Sequence, residues 1–279
     1  MGSLKAEKRL KKSLAPKRAK TKKKKDDNQT KSIKKKKDKN KSVENNKNDD
    51  VVQNNDVKPA SASELLSFFL NQFQSANAVQ LSSLELDSIK DSCILELSES
   101  LNQDAKTLGK HMKVAFGSSW KEVLCEGHLL EGKIDPGCPA ALIISSSAIR
   151  SIELLRGLQP LTRECHAVKL FSKHMKVEEQ VSLLKNRVNL ASGTPSRIKK
   201  LIDIEALGLS RLEVIVLDMQ TDVKGYSLFT LPQVRDEFWD LYKNYFHQRL
   251  LQGNLRICLY GPIPNGNEFK GKRRKNDDE

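Results

Sequence analysis

Val188-Asn189-Leu190-Ala191-Ser192-Gly193-Thr194-Pro195-Ser196-Arg197 is followed, after an amphipathic stretch, by Leu212-Glu213-Val214-Ile215-Val216-Leu217-Asp218. The first string predicts a buried strand, a glycine turn and a helix with Thr194 as N-cap and Pro195 at its first position, where a missing N–H costs nothing. The second predicts a strand covered on both faces, ending in a carboxylate. Around this pair the same alternation continues. Residues 139–144 form an apolar run bounded by Gly137 and Ser145-Ser146-Ser147, as a fully buried strand should. Further elements are expected as helix 148–157, strand 167–171, helix 177–186, strand 187–191, helix 195–207, strand 212–217, helix 234–251 and strand 255–260. Strands alternating with helices require right-handed crossovers and a mainly parallel sheet, so the fold class is α/β.

Upstream, Leu65, Leu66, Phe68, Phe69 and Phe73 share one face of a helix expected over 63–77. A second helix is expected over 84–101, ending near Asn102. Residues 111–132 show no clear period.

The chain has 279 residues and a formal net charge of +14. Up to Lys58 there are 21 Lys or Arg against 8 Asp or Glu, so +13 of that charge lies there; the last ten residues add +2 and the body is close to neutral. Residues 1–58 carry few large apolar groups and cannot bury enough surface to offset their ordering entropy, so they are expected to be a disordered basic tail. Its quartets Lys22, Lys23, Lys24, Lys25 and Lys34, Lys35, Lys36, Lys37 fit nuclear or nucleolar import and loose attraction to nucleic acid. Residues 59–108 are expected as a helical extension, 109–264 as the α/β domain, and 265–279 as a second charged tail. About 210 residues of body suit one α/β domain with an extension better than two domains. No apolar run reaches the length of a membrane span and the Lys-rich start has no signal-peptide character, so an intracellular protein without membrane contact is expected. The five cysteines, Cys93, Cys125, Cys138, Cys165 and Cys258, include no C-x-x-C pair; neither a zinc site nor a disulfide framework is expected, and they are read as reduced core residues.

Parallel sheets bind ligands at the carboxyl ends of their strands, which directs attention to the loops after Ile144, Phe171, Ala191, Leu217 and Tyr260. At one of them the helix start after Gly193 offers free amides, a helix dipole, the Thr194 hydroxyl and the Arg197 fork, which together suit a phosphate. The contrary reading is a plain Thr-Pro helix start with Arg197 on a solvated face. Arg150, after the 145–147 loop, and Lys173, in the 171–176 loop, complete the predicted phosphate set of Arg150, Lys173, Gly193, Thr194, Pro195, Ser196 and Arg197. No G-x-x-x-x-G-K-[ST] string is present, and the nearest candidates, Gly109-Lys110-His111 and 116–121, lack its paired glycines. No metal or other cofactor is expected. Trp239, Tyr242, Tyr245 and Phe246 form an aromatic cluster at helical spacing, read as core or partner surface rather than a base-stacking platform.

The order of these loops resembles the first domain of DEAD-box RNA helicases. Ser145-Ser146-Ser147-Ala148-Ile149-Arg150 stands where those proteins have Pro-Thr-Arg-Glu-Leu, Phe171-Ser172-Lys173-His174 where they have a glycine pair, and Gly193-Thr194-Pro195-Ser196-Arg197 where they have Thr-Pro-Gly-Arg. The resemblance implies a single RecA-like domain with RNA phosphates held near Thr194. It also implies that ATP hydrolysis is lost: Met219 follows Asp218 where a helicase carries its catalytic Glu, Gly261-Pro262-Ile263 replaces Ser-Ala-Thr, and a second helicase domain is missing. These departures are similar to those of the Cms-one proteins, pre-ribosomal factors of the small-subunit processome with a degenerate helicase-like domain behind a Lys-rich end. The resemblance is carried by 146–156, 191–201, 214–218 and Leu231-Pro232-Gln233-Val234-Arg235-Asp236-Glu237-Phe238. It implies a non-enzymatic nucleolar factor whose partners are pre-ribosomal RNA and processome proteins. The alternatives are a pure protein scaffold, docking through its first helices and the Trp239 region, and, less favoured, a divergent ATPase.

Overall fold

The computed structural model describes residues 60–126, 135–163 and 165–263. The basic tail with its two Lys quartets lies outside the described residues, as do residues 265–279. Five strands, β1 Ala141–Ile144, β2 Ala167–Leu170, β3 Leu190–Gly193, β4 Val214–Asp218 and β5 Arg256–Tyr260, form one sheet in the order β2-β3-β1-β4-β5. Every pairing is parallel, in register from Ala141 opposite Leu190 and Val214 to Asp218 opposite Tyr260. The fold is therefore of the expected α/β class, with a wholly rather than mainly parallel sheet.

Side-chain alternation along the strands divides the interior into two layers. Leu142, Ile144, Ile215, Leu217, Ile257 and Leu259 face one core, shared with α1 Ala62–Asn77, α7 Pro195–Asp203 and α8 Pro232–Leu241. Ala141, Ile143, Val214, Val216, Cys258 and Tyr260 face the other, shared with α3 Leu108–Phe116, α4 Ala148–Gly157 and α5 Gln159–Thr162. Central β1 and β4 are buried throughout, which is why their sequences are continuous apolar runs, while edge strand β2 is exposed at alternate positions. The remaining helices are α2 Ser83–Ser88, α6 Val177–Leu184 and α9 His247–Leu251. None among the described residues is long and apolar enough to cross a membrane.

Helix α1 starts in a capping box, Glu64 N–H donating to Ser61 Oγ at 3.3 Å and Ser61 N–H to Glu64 Oε2 at 2.7 Å. Its Phe69 and Phe73 pack on Trp239 and Tyr242 with ring centroids 5.2–5.6 Å apart. Trp239 is only 2% exposed. The Trp239 region is thus core, and the expectation that it offers a docking surface is corrected: the first helix of the same body already covers it.

The helix expected over 84–101 is also corrected. Helix α2 begins with its own capping box between Ser82 and Glu85 but ends at Ser88, and Ile89 turns extended. Beyond a short 3-10 turn at Asp91–Cys93, Ile94 makes a parallel bridge to Ile257, and Leu95 N–H donates to the Ile257 carbonyl at 2.8 Å. Ile94 enters one core and Leu95 the other, a period of two that only an extended segment can satisfy. Two further differences concern β3, which starts three and ends two residues later than expected, and the last helix, where 232–251 contains a π turn at Tyr242–Phe246. The cysteine expectation fails at one pair, for Cys125 and Cys165 are joined in a disulfide with Cα atoms 4.9 Å apart, while Cys93, Cys138 and Cys258 are free and buried. A separation of 40 residues hides that proximity from sequence spacing.

Gly193 closes β3 because a Cβ there would lie 2.0 Å from the Leu170 carbonyl oxygen of the neighbouring strand. Gly193→Ala is expected to destabilise the protein by about 3 kcal/mol, as overpacking of a close backbone contact does. Urea unfolding of both proteins checks this, and equal midpoints would contradict it.

Candidate nucleic-acid interface at the strand ends

All five strands point their carboxyl ends to one side, which gathers the loops after β1, β2, β3, β4 and β5. After β1, Ser145 and Ser147 are used internally, together with Ser151 of α4. Ser145 Oγ and Ser151 Oγ are 2.7 Å apart, Ser151 Oγ donates to the Ser147 carbonyl at 3.1 Å, and Ser147 Oγ caps α4 by accepting from Arg150 N–H at 3.3 Å. That cap places Arg150 on the first turn of α4, facing the end of β4. Its Nε and Nη2 donate to Asp218 Oδ2 and Oδ1 at 2.9 and 3.0 Å, a bidentate pair, and Nη1 reaches Glu153 at 3.2 Å. The Asp218 side chain is fully buried and that of Arg150 is 17% exposed. Burial pushes the Asp218 carboxyl up from the usual aspartate range, against the pull of Arg150 and the Gln220 backbone N–H. Burial likewise penalises the Arg150 guanidinium, which Asp218 and Glu153 nevertheless hold above its usual value.

Of the predicted phosphate residues, Arg150 is therefore a half-buried cation paired with Asp218 and not a free fork. Arg197 is committed as well: its Nη1 donates to Gln180 Oε1 at 2.7 Å and to the Met175 carbonyl at 3.2 Å. Gln180 is fully buried and its Nε2 donates to the carbonyls of Lys169 and Phe171 at 2.9 and 3.0 Å. It fixes the path of the 171–176 loop and ties that loop to α7 through Arg197. Nothing in the sequence marked Gln180, since a glutamine at a helical position reads as surface. Thr194 is the N-cap of α7 by position, yet its hydroxyl makes no capping bond, contrary to expectation. Its backbone N–H donates to the Leu170 carbonyl at 3.1 Å, which extends the β2–β3 ladder into the turn. Pro195 is buried at the first helical position, Ser196 is exposed beside it, and Lys173 is exposed in the loop that starts at the same strand ends. The structure thus gathers Gly193, Thr194, Pro195, Ser196 and Arg197 at one helix start, with the Lys173 loop alongside.

The largest omission of sequence reading lies next to β5. Ile94 continues the sheet beyond β5, and the loop that follows enters α3 with Lys106 and Thr107 at the helix start. Ser100-Leu101-Asn102-Gln103-Asp104-Ala105-Lys106-Thr107 has the spacing of G-x-x-x-x-G-K-T with both glycines replaced, in the strand–loop–helix setting that motif needs. The Lys-Thr pair eight residues long from Ser100 was the available signal, and a search for glycines passes over it. A phosphate loop holds its ligand with backbone N–H groups at the helix start. Here Asp104 Oδ1 takes those of Lys106 and Thr107 at 2.8 and 3.1 Å. Thr107 Oγ1 donates to the Asn102 and Asp104 carbonyls and lies 3.1 Å from the Tyr260 hydroxyl. Tyr260 in turn donates to the Asp104 carbonyl at 2.5 Å, and burial raises its phenol to about 12. Gly261 N–H donates to Gln103 Oε1 at 2.8 Å, closing the loop against the end of β5. The residues present do not fit a magnesium nucleotide: a carboxylate fills the amide nest, and the strand-end Asp218 is saturated by arginine. No group of three or more His, Cys, Asp or Glu among the described residues could hold a metal ion.

An all-parallel sheet whose strand-end loops are filled by side chains of the chain itself defines a class of α/β proteins. Within it, the match is specific: residues 6–260 fit the model of the CMS1 family, described as "U3-containing 90S pre-ribosomal complex subunit". The chain belongs to that family. The human protein CMSS1 is 32% identical over 217 residues, covering 75% of this chain and 68% of that protein. Protein CMS1 of Chaetomium thermophilum is 34% identical over 164 residues, covering 56% of this chain and 61% of that protein. Among solved structures, a yeast DEAD-box splicing factor aligns over 48% of this chain and 30% of its own, with a TM-score of 0.35 and 17% identity.

Arg150→Ala is expected to cost about 3 kcal/mol or more, because it strands a buried carboxylate. Combining Arg150→Met with Asp218→Asn should cost clearly less than Arg150→Ala alone. Denaturant unfolding of these proteins and the wild type checks this, and a double variant no more stable than Arg150→Ala would contradict the pairing.

Proposed function

We propose that the chain is a non-enzymatic nucleolar component of the 90S pre-ribosomal particle whose folded body contacts precursor ribosomal RNA at the α7 helix start while other surfaces meet processome proteins. The carrying observation is the asymmetry of the strand ends. On the β4–β5 side the backbone amides and the carboxylate that a nucleotide would need are occupied: Asp104 fills the Lys106 and Thr107 amides, and Arg150 fills Asp218. On the β2–β3 side the Thr194 hydroxyl and the Ser196 amide make no bond among the described residues, and exposed Lys173 stands on the adjoining loop. Free amides at a helix start, a positive dipole end and a lysine suit one phosphate without base recognition. Arg197 and Gln180 serve that site as positioning residues, holding loop 171–176 against α7.

The family description supplies the particle, and the Lys quartets supply import and a salt-sensitive attraction to RNA that the body then localises. A pure scaffold, entering the particle by protein contacts alone, is separated from this reading by ultraviolet crosslinking in cells. With the tagged full-length chain, RNA crosslinks on peptides spanning 171–176 and 193–200 are expected. Lys173→Glu combined with Ser196→Glu should reduce them several-fold while the protein still sediments with the particle. Crosslinks confined to residues 1–58, unchanged by the substitutions, would favour the scaffold.

A further inference from the structure

Away from the strand ends, an open groove of about 1010 Å³ is lined by Lys106, Lys113, Arg156, Gln159, Thr162 and Arg163, with Gly157 and Pro160 at its floor. Four of those side chains are cationic and none is acidic. Three separate elements bring them together. Lys106 stands at the start of α3 and Lys113 two turns on along the same face, Arg156 ends α4, and Arg163 follows α5. The convergence depends on close backbone packing: a Cβ on Gly157 would lie 1.6 Å from the Ala105 carbonyl oxygen, and one on Gly109 would lie 2.7 Å from the Gly157 carbonyl oxygen. Lys113 is held by the Trp120 ring, its Nζ 4.2 Å from the centroid. Lys106, Arg156 and Arg163 are exposed and make no ion pair among the described residues. This contrasts with Arg150 and Lys199, each of which has a carboxylate partner.

Like charges brought together without counter-charges repel, so the arrangement lowers stability slightly unless an anion enters. The groove has no deep apolar socket for an anchoring side chain, which is what a protein partner's hot spot requires. It offers instead an open groove with cations contributed by three elements, together with polar Gln159 and Thr162. We propose that this groove is a second RNA-binding surface, holding consecutive phosphates of a single-stranded segment through Lys106, Arg156 and Arg163, with Gln159 and Thr162 on sugar or phosphate oxygens. It is separate from the α7 helix start, since neither Thr194, Arg197 nor Lys173 lines it. It rests on the reading that the body, and not only the tail, meets RNA. The lysine of the degenerate phosphate loop, Lys106, is thereby turned from a nucleotide's phosphates towards those of a polynucleotide.

The test uses the full-length chain and a 20-nucleotide oligouridylate, titrated from 50 to 250 mM salt. Counterion release predicts that Lys106→Ala, Arg156→Ala and Arg163→Ala together flatten the salt slope by about 2, from about 0.7 per phosphate contact. A control carrying Lys185→Ala, Lys224→Ala and Lys243→Ala removes the same charge elsewhere and should leave the slope nearly unchanged. Crosslinked peptides are mapped in parallel. Crosslinks on 106–113 and 156–163 with a selectively flattened slope support the groove. Crosslinks on 171–176 or 193–200 alone, with equal slopes for the two triple variants, overturn the groove but leave body binding intact. No body crosslinks at all overturn both. Retained RNA binding with loss of polyglutamate binding in the triple variant overturns the RNA assignment and makes the groove a site for acidic protein.

Discussion

A carboxylate whose side chain is wholly buried at the end of a parallel strand can persist only if a matching cation is buried with it. The Arg150–Asp218 pair meets that condition with two charge-assisted bonds at 2.9 and 3.0 Å, and the rest of the strand-end architecture is arranged around it. To place Arg150, α4 must start at Ala148, so Ser147 caps it and the 145–147 turn folds onto Ser151. To keep Asp218 dry, β5 must lie alongside β4 to its end, which brings Tyr260 and Gly261 against the 103–107 loop. One ion pair therefore accounts for the closure of two loops that a nucleotide would need open.

The loops on opposite halves of the sheet thus have opposite fates. On the β4–β5 half, side chains of the chain itself stand where anions and cations of a ligand would: Asp104 for a phosphate at the helix start and Arg150 for a metal ion at Asp218. On the β2–β3 half, the α7 start keeps its amides and the neighbouring loop is pinned from below by Gln180. Closed loops on one half of the sheet and an uncapped helix start on the other are then features of the same domain. The chain belongs to a family described as a subunit of a 90S pre-ribosomal complex.

Much of the fold was legible because both sheet faces are buried. Continuous apolar runs such as 141–144 and 214–218 admit few readings once glycine and serine bound them, and Thr194-Pro195 marked the start of α7 to the residue, although the helix ends at Asp203 rather than at 207. What failed shares a cause. Ile94 and Leu95 sit in a sequence with helical spacing, but tertiary burial in two different cores overrides the period. The site was legible by position and not by partner. Arg150 and Arg197 were placed at the proper strand ends, yet sequence gives no sign that Asp218 and Gln180 already occupy their guanidinium groups. The degenerate loop at Ser100–Thr107 was missed because its glycines are gone, and only the Ile94 bridge shows that a strand precedes it.

Titration of the pure full-length protein with ATP and magnesium in a calorimeter tests the central claim, that the nucleotide end of the sheet is closed from within. The account predicts no saturable heat up to millimolar nucleotide. Saturable binding at micromolar nucleotide that disappears in Lys106→Ala would contradict it, because it would require Asp104 to leave the amides of Lys106 and Thr107 in the native protein.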